Sequence, residues 1–193
     1  MANFTGTDLR EDAEFYSEVT LTDSEAVKVV NRGLDRLGTL GLAYGEEEFT
    51  IDGTTVDVFQ SMTDDIIGII QVLDENNNSF ERWEYEQDGS IKFSEEGTYY
   101  VIYRKIPDNI TAIADTIDLK GTYEEPLTKH FEGFVKLKYN DTSPDGTRLM
   151  QEFERLAAVS FNTLIQSRIP AEIRASEFMS GMMAGQQTQQ RGQ

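Results

Sequence analysis

The chain has no cysteine, so disulfides, thiolate metal sites and a thiol nucleophile are all excluded. It has one histidine, His130, beside Lys129. A lone histidine in a helical stretch supplies no triad by spacing, and the expectation is a surface or packing role. Proline is scarce, with four in 193 residues. No apolar run approaches the roughly 20 residues needed to cross a bilayer. The N-terminus, Met-Ala-Asn-Phe-Thr-Gly-Thr-Asp, lacks the basic and apolar regions of a signal peptide. The expectation is a protein made and kept in the cytosol, or assembled there into something larger. None of the 15 glycines falls in a Walker or dinucleotide spacing, so no phosphate loop is expected.

Positive charge is also short. The net charge is −18, and it is unevenly placed. From Glu46 to Glu96, fifteen Asp and Glu stand against Arg82 and Lys92, a net of −13. From Arg148 to the end, five Arg and four Glu leave +1. Gripping nucleic acid needs Lys and Arg to displace counterions from phosphates, so this distribution argues against it. It fits a solubility surface, or a wall that stays close to DNA without holding it. The composition, 38% hydrophobic and 27% charged, is that of a folded chain long enough to bury a core.

What is present reads as an α+β fold organised around Gly89 to Pro107. This stretch predicts a short strand (Ile91 to Phe93), a turn, and a longer strand from Thr98 to Lys105 that Pro107 stops. Tyr99, Val101 and Tyr103 fall on one face of the longer strand, with Tyr100, Ile102 and Arg104 on the other. Large groups on both faces predict an inner strand covered on two sides.

Residues 1–19 show little periodicity and are expected as a loose arm. Thr22-Asp23-Ser24-Glu25 is a capping-box pattern, followed by Val27, Val30, Leu34 and Leu37 at helical spacing; Gly38 and Gly41 close that helix. Strand candidates follow at Phe49 to Ile51, Val56 to Phe59, Ile66 to Leu73 and Phe80 to Tyr85. Asp52-Gly53 reads as a hairpin turn, and a further short strand is expected between Ile110 and Leu119. Together these give an antiparallel β-meander or sandwich over about residues 46–119.

Pro126 suits the first turn of a helix in which Leu127, Phe131, Phe134, Val135 and Lys138 share a face. Ser143 as N-cap and Pro144 at the first position start a longer helix with Leu149, Phe153, Leu156, Ser160 and Leu164 as its stripe. The short break between them predicts an antiparallel helix pair over about 126–168. Ile169-Pro170 interrupts it. Residues 170–193 form an extended polar tail, rich in Gln, in which Phe178, Met179, Met182 and Met183 are the candidate partner-binding anchor.

Chemistry-bearing patterns are few. Asp74-Glu-Asn-Asn-Asn-Ser echoes the start of a calcium loop, but Ser79 and Tyr85 stand where glycine and an acid belong, so a polar turn is expected. Asp64-Asp65 pairs two carboxylates before an apolar strand and is expected to form a turn. Tyr99, Tyr100, Tyr103 and Trp83 could stack bases, but in acidic surroundings they are expected in the core. No catalytic, cofactor or metal residue is assigned, and no cofactor is expected.

The order of these elements, with Tyr99-Tyr-Val-Ile-Tyr-Arg-Lys-Ile-Pro107, Thr116-Ile-Asp-Leu119 and the Tyr123-Glu-Glu-Pro-Leu127 helix opening, resembles the head-to-tail adaptors of tailed bacteriophages. The likeness is to the tubular tail protein A type and the related tail accessory factors of short-tailed phages, over roughly residues 20–165. The resemblance implies a structural virion protein that is not an enzyme: a dodecameric ring in the virion neck, made in the host cytoplasm. Its partners would be the portal protein and a tail or nozzle protein, with DNA passing through the channel unbound and no membrane contact. Some relatives degrade peptidoglycan, so a hydrolase on the same fold, using Asp64, Asp65 or Glu81, is one alternative. A monomeric protein-binding module is another.

Overall fold

In a computed structural model, residues 4–17, 20–139 and 142–168 are described. Helices α1 (Gly6–Ser17) and α2 (Asp23–Leu40) precede six strands. These are β1 (Tyr44–Ile51), β2 (Gln60–Ser61), β3 (Ile66–Asp74), β4 (Trp83–Tyr85), β5 (Ser90–Phe93) and β6 (Gly97–Lys105); helices α3 (Glu124–Tyr139) and α4 (Pro144–Arg168) follow. The fold is α+β, with two small antiparallel sheets ordered β1-β6-β3 and β2-β5-β4.

β6 is the middle strand of its sheet and divides the interior in two. Its Tyr99, Val101 and Tyr103 join Phe49, Ile51 and Val72 against Ile91 and Phe93 of the second sheet. Phe93 stacks on Tyr99 at 4.6 Å, and Phe80 lies 4.4 Å from the same tyrosine ring. On the opposite face, Ile102 and partly buried Tyr100 meet a second core built from all four helices. The inner-strand expectation therefore holds, and on that face only Arg104 is exposed. Gly45, opposite Tyr103 in the ladder, makes room for that ring: a Cβ there would lie 2.1 Å from it.

The strands do not run as a meander. β1 pairs with β6 rather than with its sequence neighbour, and only β4 and β5 form a local hairpin. The Asp52-Gly53 hairpin is absent because the Asp52 side chain competes for the local donors. Its carboxylate accepts from Thr54 N–H (2.9 Å) and from the hydroxyls of Thr54 (2.7 Å) and Thr55 (3.1 Å). The chain turns there, Val56 to Phe59 is not a strand, and Asp57 N–H instead meets the Phe93 carbonyl at 2.9 Å.

Residues 1–19, expected as a loose arm, contain α1. Leu9 and Ala13, one helical turn apart, are buried together with Phe4, and this three-residue stripe was hidden among carboxylates. The Phe4 carbonyl accepts from Ile117 N–H at 2.9 Å. The segment from Ile110 to Leu119 is irregular rather than a strand. Asp115 folds it by accepting from the N–H groups of Thr111 (2.9 Å) and Ala112 (2.8 Å), which holds its carboxyl below the usual range.

The capping box of α2 forms: Thr22 Oγ1 accepts from Glu25 N–H, and the Glu25 carboxylate accepts from Thr22 N–H. Gly41, at φ 62°, ends the helix, while Gly38 lies within it. Ser143 caps α4 by accepting from Gly146 N–H at 3.2 Å, with Pro144 at the first position. α3 and α4 pack along their stripes, with Phe131, Leu149 and Phe153 buried and Phe134 and Leu156 half-buried. Gly133 lets the two backbones close, since a Cβ there would lie 3.1 Å from Leu149 Cβ. The interruption at Ile169-Pro170 and the tail lie outside the described residues.

Candidate functional site

The period-two register that points Tyr99, Val101 and Tyr103 inward also points Lys105 inward. A buried ammonium requires a counter-charge. The turn before β3 brings Asp64 to it, with Nζ 3.2 and 3.3 Å from the two carboxylate oxygens. Asp118, from the irregular segment before α3, closes on Nζ from outside. The Lys105 side chain is 5% exposed, Asp64 20% and Asp118 67%, so the pair has an inner and an outer carboxylate. Tyr103 donates its hydroxyl to Asp64 at 2.6 Å. Burial, and then this hydrogen bond to an anion, push the Tyr103 phenol well above its ordinary value.

These groups line a cleft of about 370 Å³ with Tyr44, Glu46, Glu47 and Thr63. Glu47 accepts from Thr63 N–H (2.9 Å) and Thr63 Oγ1 (2.6 Å), fastening the turn to β1. Glu46 accepts from Tyr44 hydroxyl at 2.8 Å and from Arg168 Nε at 2.6 Å. Arg168, the last described residue of α4, also donates to Asn77 Oδ1 at 3.3 Å and lies 4.5 Å over the Tyr100 ring. Burial is the main cause that raises the Tyr44 phenol, with Glu46 adding to it.

The carboxylates of this cleft are thus occupied by an ammonium, a guanidinium, hydroxyls and backbone N–H groups. The arrangement fastens β1, the turn before β3, the segment before α3 and the end of α4 onto one sheet. It leaves no carboxylate pair poised around an open position. Asp64 and Asp65 stand at neighbouring recesses, whereas Glu81 lines a different one with Trp83 and Lys92. Among the described residues, no group of three or more acidic or histidine side chains is placed to hold a metal ion. The Asp74 loop is a polar turn, its carboxylate accepting from Asn76 N–H (2.9 Å) and Asn78 N–H (2.8 Å).

His130 is buried in the helical core, 5.1 Å from the Phe153 ring and 6.4 Å from Phe134. Desolvation, aided by Arg32 and Arg36, lowers it to about 4, so it is a neutral packing ring at physiological pH. Tyr99 and Tyr103 are core, and Trp83 and Tyr100 are partly buried against it. The sheet half carries fifteen of the 35 carboxylates, with Glu48, Asp57, Glu81, Glu84, Glu86 and Glu95 among the exposed ones.

Sequence reading missed the Lys105–Asp64–Asp118 cluster and the Arg168–Glu46 pair. The inward register of Lys105 was the available signal for the first. For the second there was none, because Glu46 and Arg168 are joined only by the fold. The candidate anchor residues Phe178, Met179, Met182 and Met183 lie outside the described residues. No described helix is long and apolar enough to cross a membrane. In comparisons with known proteins, no family model and no curated protein matches this chain.

Proposed function

We propose that this protein is a structural virion component, a ring-forming head-to-tail adaptor that joins a phage portal to the tail and lines the DNA channel. The observation that carries the reading is the order of elements. A capped α2 leads into a sheet centred on β6, Pro107 ends that strand, Pro126 lies in the first turn of α3, and an antiparallel α4 follows. This is the order on which the resemblance to head-to-tail adaptors rests.

Two features support it. The carboxylate-rich sheet half, at −13 over Glu46 to Glu96, offers phosphates no binding site, so DNA can pass along such a wall without being held. Asp64, a part-buried acid that a hydrolase would need free, is occupied by Lys105 and Tyr103. The ring is dodecameric, its partners are the portal and a tail or nozzle protein, and its place is the virion neck.

The test is native mass spectrometry and electron microscopy of the chain alone and mixed with the portal protein of the same genome. A dodecameric ring seated on the portal is the expected result. A monomer without portal affinity at every concentration overturns it in favour of a binding module. Clearing of peptidoglycan in a zymogram, lost on Asp64→Asn, overturns it in favour of a hydrolase.

A further inference from the structure

No further inference is drawn: the strongest candidate, the outer edge of β3, unpaired among the described residues over 66–71 with Ile67 and Ile106 exposed beside it, carries none because nothing in the structure shows what covers it.

Discussion

Lys105 and Asp64 form an inward-facing ion pair, 3.2 Å apart, in which the lysine side chain is only 5% exposed. Removing one member of a buried pair costs up to about 3–5 kcal/mol when the other charge is left alone. Asp64→Ala would leave the Lys105 ammonium only the exposed Asp118 and the Tyr103 hydroxyl no acceptor, so the loss should fall towards the lower part of that range. Asp64→Ala should therefore lower the denaturant midpoint sharply. Asp118 touches the same ammonium, but its side chain is 67% exposed, and an exposed partner contributes only about 0–1 kcal/mol. Asp118→Ala should be close to wild type. Equal losses from the two substitutions would show that the inner and outer carboxylates are not distinct.

His130 gives the fold a pH dependence of defined sign. Its folded value is about 4 against 6.5 when unfolded, so between those limits the unfolded chain binds the extra proton. Its contribution is complete above pH 6.5 and is lost as pH falls towards 4. The total is on the order of 3 kcal/mol for this almost fully buried ring. Arg32 and Arg36 lie near it, and no acid is among the groups that shift it. His130→Phe should flatten the stability profile between pH 6.5 and 4, measured by urea melts across that window. An unchanged slope would place the acid sensitivity elsewhere.

The helix pair makes a separate prediction. Phe153 is fully buried, edge-on to His130, and belongs to the same core as Phe131. Phe153→Ala should cost about 3–5 kcal/mol through lost burial and an unfilled cavity. Leu156, half-buried on the same helix, should cost less when cut to alanine. A loss below about 1 kcal/mol at Phe153 would contradict its place in the core.

The local parts of this fold were legible because local chemistry decides them. Thr22 and Glu25 form their box, Ser143 and Pro144 open α4, and the alternation from Tyr99 to Tyr103 gave the central strand and both its faces. What failed was non-local or masked by competing polar groups. Nothing near β1 says that Gly45 must oppose Tyr103, so of the two expected arrangements the meander does not form, whereas two small antiparallel sheets packed over a shared core do. Asp52 has the letters of a hairpin turn, but its carboxylate gathers Thr54 and Thr55 instead. At the cleft, Asp64 was visible as a turn acid and Lys105 as the end of a strand. Their pairing depends on the turn before β3 folding back across β6, which no spacing encodes.

The last prediction concerns the segment after α4. Arg168 is held by Glu46, Asn77 and Tyr100, so a chain ending at Arg168 keeps every described element and contact. It should match the full chain in circular dichroism and thermal melting. On the adaptor reading it should lose attachment to the portal, because Phe178, Met179, Met182 and Met183 are removed with the tail. Ordering a chain costs about 1–2 kcal/mol per residue, and burying each such side chain returns about 1.5–3 kcal/mol, so attachment must bury several of them together. Thioether side chains adapt to uneven grooves, which suits this role. Replacing Met179, Met182 and Met183 by serine in the full chain should therefore weaken attachment as truncation does, read by co-sedimentation with purified portal rings. Normal attachment by both variants would reject the anchor and assign the contact to the outer face of α3 and α4.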